Sequence, residues 1–92
     1  MSETNVIPIT RTTYPKVEES SRPFRLWDAE KKVHLRWRCY KHRRNAHLGA
    51  LVECRWSKVG TTIEVYNALT GRLLGQYTRT IDSIRFTGGS NG

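Results

Sequence analysis

The residues best suited to chemistry lie between Lys31 and Arg44, where cations are interleaved with aromatic and imidazole side chains. This stretch holds seven Lys or Arg residues and no carboxylate, and it also contains His34 and His42. Phosphate is the ligand that suits such a group best, because arginine presents a planar fork of donors that matches phosphate oxygens. Aromatic rings among cations are also typical of proteins that stack on the bases of single strands.

Period-two alternation over residues 33–40 predicts a strand with an apolar face and a cationic face. Side chains two residues apart on one face are about 6.6 Å apart, so Arg36 and Arg38 would reach neighbouring phosphates of one backbone. We therefore predict a surface that binds nucleic acid through its phosphates. Its predicted members are Lys32, His34, Arg36, Arg38, Tyr40, Lys41, Arg43, Arg44 and Arg55. No base-reading motif accompanies them, so neither the type of nucleic acid nor a preferred sequence is indicated.

A zinc site is the alternative chemistry in the same region. Its ligands would be Cys39, His42, His47 and Cys54, spaced C-x2-H-x4-H-x6-C. That spacing matches no standard finger, and both cysteines fall at inward positions of predicted strands, where a free thiol packs as a small apolar group. We expect the protein to fold without zinc or any cofactor. A disulfide is not expected either, because a hairpin that turns near Asn45 sets Cys39 opposite Leu51.

Catalytic chemistry has little support in this sequence. It contains no facing pair of carboxylates, no Gly-rich phosphate loop and no nucleophile motif. The chemistry that stays open is a metal-free nuclease that would use His42 or His47 beside an arginine. We expect a protein that is not an enzyme.

Composition points to the same class of partner. The 92 residues fit one domain, and 16 Lys+Arg against 8 Asp+Glu give a net charge of +8. Residues 31–92 hold twelve of the cations and only three of the acids. A charge excess concentrated in this way is typical of a protein with a polyanionic partner. The start of the chain lacks the pattern of a signal peptide, and no apolar run is long enough to span a bilayer. We expect a cytoplasmic protein with no membrane partner.

The predicted organisation is a flexible tail over residues 1–21, a small β domain over 22–87 and a flexible tail over 88–92. Strands are predicted at 24–27, 33–40, 50–57, 61–66, 72–79 and 84–86, although a helix at 47–59 competes with the third of them. Five or six short antiparallel strands with turn residues between them favour an all-β fold, a small SH3-like or OB-like barrel with a disordered N-terminal tail. Its predicted core residues are Trp37, Val52, Ile63, Val65 and Leu74.

Three kinds of function fit these patterns. The first is a non-catalytic DNA- or RNA-binding module, such as an accessory protein of a phage or mobile element. The second is an inhibitor or adaptor that docks its basic face on an acidic protein or nucleoprotein complex, as an anti-defence protein would. The third is association with ribosomes. A homodimer through the edge strand at 24–27 also stays open.

Overall fold

The fold is an open antiparallel sheet with one helix packed across it. The computed structural model describes residues 14–88, and the bounds of its elements are β1 Phe24–Asp28, β2 Val33–Tyr40, α1 Arg43–Arg55, β3 Thr62–Asn67, β4 Arg72–Arg79 and β5 Ile84–Gly88. The strand order is β2-β1-β3-β4-β5, which leaves β2 and β5 at opposite edges. The mostly β character is confirmed, but the barrel is wrong because the edge strands do not meet. No helix within residues 14–88 is long and apolar enough to cross a membrane.

Turn chemistry fixes the two hairpins that the sequence predicts. After β1, a carboxylate oxygen of Asp28 accepts hydrogen bonds from the backbone N–H of Glu30 and of Lys31, each at 3.0 Å. After β3, the side chain of Asn67 accepts from the N–H of Leu69 at 2.9 Å. The same turn ends at Gly71, whose φ of 76° is favourable for glycine. These local bonds set the register of β1 with β2 and of β3 with β4.

The third predicted strand is wrong, because its residues form the second half of α1. Small side chains recur along one side of this helix, and those buried against the sheet are Ala46, Gly49, Ala50 and Cys54. Their spacing of three or four residues matches the helical period, and their size lets the helix approach the strands closely. Val52, predicted in the core, is consequently on another side of the helix and is 46% exposed.

A bulge in β2 overturns the predicted core position of Trp37. His34 pairs with Trp27 and Cys39 pairs with Arg25, so Leu26 of β1 is opposite four residues of β2, 35–38. His34 and Cys39 are five residues apart and would be on opposite faces of a regular strand, yet here they share one face. The bulge therefore breaks the alternation, and Trp37 is 73% exposed.

Apolar side chains pack on both faces of the sheet. The α1 face buries Leu26, Ile63 and Val65 completely or nearly so, which confirms the predictions for Ile63 and Val65, and the half-buried Leu74 packs against them. The other face holds a smaller cluster around Tyr66. Two layers of contact on a sheet this small explain how so short a chain keeps an apolar interior.

The described part of the predicted tail belongs to the smaller cluster. Tyr14 is buried, its ring stacks on Tyr66 with centroids 4.7 Å apart, and its hydroxyl donates to Glu64 at 2.8 Å. The backbone N–H of Val17 donates to the carbonyl of Ala68 at 3.0 Å. The packed domain thus includes residues before the predicted boundary at 22. Residues 1–13 and 89–92, which make up most of both predicted tails, lie outside the described residues.

Candidate nucleic-acid interface

The positive charge of the chain is almost entirely at its surface. Within residues 14–88, twelve cationic side chains are exposed, and only four carboxylates are: Glu18, Glu19, Glu30 and Asp82. The other described acids are internal, since Asp28 caps the first turn, Glu53 pairs with Arg38 and Glu64 is buried among hydroxyl and amide groups. The acids that remain at the surface offset only a third of the exposed cations.

One group of exposed cations surrounds the junction of β2 and α1. We call it the β2–α1 cationic surface, and its members are Arg36, Lys41, Arg43 and Arg44. Only two residues separate the end of β2 from the start of α1, so Lys41 is close along the chain to Arg43 and Arg44 in the first helical turn, while Arg36 lies four residues before the end of β2. At about 3.3 Å per strand residue, the chain from Arg36 to Lys41 spans up to about 16 Å, which covers more than one phosphate step.

The first turn of α1 adds to this positive potential. Its N-cap residue, His42, is extended at φ −116° and ψ 139° and makes no side-chain capping bond, and no acidic residue is present in that turn. Backbone N–H groups at a helix start carry partial positive charge and lack partners within the helix. Acidic residues are favoured in the first turn of a helix. Here that turn has Arg43 and Arg44 instead, so this end of the helix attracts anions.

Two predicted members, Arg38 and Tyr40, instead brace the strand against the helix. Arg38 donates to the Tyr40 hydroxyl at 3.3 Å and to Glu53 of α1 at 3.2 Å. Tyr40 lies directly over Gly49, where an added Cβ would be 2.1 Å from the Tyr40 hydroxyl oxygen. Glycine at 49 is therefore required by the close approach of this ring. Both side chains make contacts within the fold, and their roles in nucleic-acid binding stay predictions.

The other predicted members are dispersed. His34 lies on the sheet face away from α1, half-buried, with its Nε2 3.5 Å from the Cys39 sulfur. Lys32 is exposed in the β1–β2 turn, where it adopts a positive φ of 56°. Arg55 is exposed at the far end of α1, about 18 Å along the helix axis from Arg43. His34, Lys32 and Arg55 therefore lie in three different parts of the molecule, apart from the β2–α1 cationic surface.

The aromatic group that sequence reasoning missed is Trp37. It is exposed, and it directly follows Arg36 of the cationic surface. An exposed indole offers a flat apolar ring of the kind that stacks on unpaired bases. The sequence signal for the exposure of Trp37 is the arginine on each side of it. In an irregular strand, burial of the tryptophan would also bury part of a charged neighbour, which is costly.

The nearest approach to acid–base chemistry is at His47, on the sheet-facing side of α1. Arg43 Nε donates to His47 Nε2 at 3.3 Å, and the Nδ1 atom is 2.6 Å from the Tyr77 hydroxyl. Because arginine only donates, Nε2 is the acceptor and the proton of the neutral ring is on Nδ1. Burial lowers the pKa of His47, and the Arg43 charge lowers it further. No carboxylate within residues 14–88 orients the ring, so the arrangement resembles a packing contact more than a general base.

Stability should fall as the solution becomes acidic. Burial also lowers the pKa of His34, with further lowering by Arg25 and Arg36. Between the unfolded histidine pKa of about 6.5 and the lower folded values, the unfolded chain binds more protons than the folded chain. The free energy of unfolding therefore has its full value above about pH 6.5 and decreases as the pH falls below that value. Urea unfolding at a series of pH values measures this loss.

Substitution of the histidines identifies the source of that pH dependence. His47→Asn should reduce the slope of stability against pH, and His34→Asn with His47→Asn should remove most of it. The matched control is His42→Asn, because His42 is exposed at the start of α1. An unchanged slope in the double variant would show that other groups cause the acid sensitivity.

The four residues of the alternative zinc site are not brought together. Cys39 is near His34 on the face away from α1, whereas Cys54 is buried under the helix with its sulfur 3.6 Å from the carbonyl of Tyr77. Both cysteines are free thiols. Among residues 14–88, no three His, Cys, Asp or Glu side chains are grouped so as to hold a metal ion.

Comparison of the chain with protein-family models, with curated proteins and with solved structures finds no match. Its function must therefore be argued from its own residues.

Proposed function

We propose that this protein is a non-catalytic nucleic-acid-binding module that holds the phosphate backbone on its β2–α1 cationic surface. The observation that carries the proposal is the exposure of all four cations of that surface in a stretch, 31–52, that contains no acidic residue. Phosphates attract such a group over distances comparable to the Debye length and release counterions when they bind. The proposal extends to a cytoplasmic accessory protein of a phage or mobile element, which the small size and high charge favour.

Single strands are the form of nucleic acid that this surface favours. Trp37 follows Arg36 in the sequence and is exposed, so it is available to stack on an unpaired base, whereas a duplex keeps its bases stacked on each other. Between Arg44 and Arg55, the outer side of α1 carries leucine and valine, whereas a helix that reads base edges in a major groove presents polar side chains along that side. The contact we propose therefore combines about four phosphates with one stacked base and has little sequence preference.

Replacing Trp37 with alanine should weaken the binding of a single strand by about 1–3 kcal/mol, or about 5- to 150-fold. Duplex binding should change little. Because the side chain is exposed, the free energy of unfolding should stay within about 0.5 kcal/mol of the wild-type value. Fluorescence anisotropy with labelled single- and double-stranded DNA and RNA measures the first two effects, and urea unfolding measures the third.

The matched control is Trp56→Ala, since Trp56 is 83% exposed and lies at the opposite end of α1 from the cationic surface. It should bind single strands as the wild type does. Equal losses in both variants would indicate that any surface indole contributes, and the stacking assignment of Trp37 would be withdrawn.

If no nucleic acid binds even at low salt, the same cations fit the alternative, an inhibitor or adaptor that docks on an acidic protein or nucleoprotein complex.

A further inference from the structure

Helix α1 buries small residues and exposes its large apolar ones, which is the reverse of an ordinary surface helix. Its sheet side is lined by alanine, glycine and cysteine, whereas its largest apolar side chains, Leu48, Leu51 and Val52, are 53%, 37% and 46% exposed. A surface helix normally turns its large apolar residues to the core and its polar residues to water. The fold gains little from these three side chains, so their placement is better explained by a partner that covers them.

The apolar surface continues past the end of the helix. Trp56, the C-cap residue, and Val59 in the following loop are 83% and 56% exposed. Leu48, Val52 and Trp56 recur every four residues, so they form one row along the helix. We define the outer face of α1 as Leu48, Leu51, Val52 and Trp56. An exposed tryptophan within an apolar row is typical of the centre of a protein interface, where aromatic residues are enriched.

The charges around this face limit what can cover it. Arg44 and Arg55 lie on the same side of the helix as Leu48, one turn before it and about two turns after it. The one carboxylate of the helix, Glu53, is hydrogen-bonded to Arg38 of β2. A second copy of the chain would bring these arginines against one another, which costs free energy when the charges lose solvent. A partner with carboxylates at both ends of an apolar row complements them instead.

We infer that the outer face of α1 binds an acidic amphipathic helical segment of another protein. The distance from Arg44 to Arg55 along the helix axis is about 17 Å, which equals about three turns of a bound helix. Such a segment would pack apolar residues spaced i, i+3, i+4 and i+7 on Leu48, Val52 and Trp56, and its acidic residues would pair with the two arginines. The docking site and the β2–α1 cationic surface share Arg44. Leu48, Val52 and Trp56 are not part of the cationic surface, so substitutions at these apolar residues leave its four cations and Trp37 unchanged.

The test uses a synthetic 16-residue peptide with leucine at those four positions and glutamate at most others, labelled for fluorescence anisotropy at physiological salt. The wild-type protein should bind it saturably, and the variant L48S/V52S should bind it at least about tenfold more weakly. A peptide with glutamine in place of glutamate should also bind more weakly. Because both substituted side chains are exposed, the variant should fold and should bind a single-stranded oligonucleotide as the wild type does.

The matched control variant is Leu69→Ser, since Leu69 is 38% exposed in the β3–β4 turn and is not part of the outer face of α1. It should bind the peptide normally. Absence of saturable binding, or equal binding by L48S/V52S and the wild type, would overturn the inference. Sedimentation of the wild type as a dimer that L48S/V52S dissociates would also overturn it and would assign the face to a second copy. Failure of oligonucleotide binding alone would count against the proposed function and not against this docking.

Discussion

Replacing Arg36, Lys41, Arg43 and Arg44 together with glutamine should weaken single-strand binding at about 50 mM salt by at least about 50-fold. Four neutralised phosphates of a single strand give a slope of log K against log salt near −2.8, and the quadruple variant should lose that slope. Over the range from about 50 to about 200 mM, this slope alone corresponds to about 50-fold in affinity. Fluorescence anisotropy at fixed low salt measures the difference directly.

The control for this variant removes the same amount of charge elsewhere. Lys31, Lys58, Arg72 and Arg85 are exposed and lie outside the β2–α1 cationic surface. Their joint replacement with glutamine should weaken binding far less, because more distant charges are screened at this salt concentration. Equal losses in the two quadruple variants would contradict a localised site and would point to diffuse attraction by the net charge.

Replacing Leu26 with alanine should lower the free energy of unfolding by about 2–5 kcal/mol. Leu26 is fully buried under α1 in the main cluster with Ile63 and Val65, so its loss leaves a cavity that the close-packed helix and sheet cannot easily fill. For a domain of this size, such a loss corresponds to a fall in Tm of about 10 °C or more. Thermal unfolding followed by circular dichroism measures it.

The same substitution at an exposed leucine is the control. Leu48→Ala should change the free energy of unfolding by less than about 0.5 kcal/mol, because Leu48 is half exposed on the outer face of α1. Comparable losses at both positions would mean that Leu48 is covered in the folded protein. Stability unchanged at Leu26 would contradict the core described above.

The parts of the fold that the sequence predicts correctly are those decided by local residues. The β3–β4 hairpin follows from β-branched and aromatic residues on both sides of the Asn67–Gly71 turn, and β4 has the predicted bounds of 72–79. Helix and strand were both compatible with the residues of α1, since Leu51 interrupts the strand pattern only once. The small buried residues favour a helix because they let it pack closely on the sheet. That advantage exists only when the sheet is present, so the sequence of this segment alone does not show it.

The candidate site was predicted only in part because of one bulge. Regular alternation over 33–40 would have placed Trp37 inside and Arg38 outside. The unequal pairing of β2 with β1 reverses this, so that Arg38 reaches Glu53 while Trp37 is exposed. A bulge is a property of two paired strands, so neither strand alone reveals it. Lys41, Arg43 and Arg44 are exposed, and no apolar pattern competes for them, but the predicted loop is wrong for Arg43 and Arg44, which form the first turn of α1.

The most direct test of nucleic-acid binding is the affinity of the wild-type protein for one oligonucleotide, single-stranded and as a duplex, measured between about 50 and 200 mM salt. If the four cations of the β2–α1 cationic surface each neutralise one phosphate, log K should fall against log salt with a slope near −2.8 for the single strand and −3.6 for the duplex. The single strand should bind more tightly at every salt concentration, since Trp37 adds a stacking contact that salt does not screen. Absence of saturable binding at about 50 mM, or a slope near zero, would contradict the proposed function.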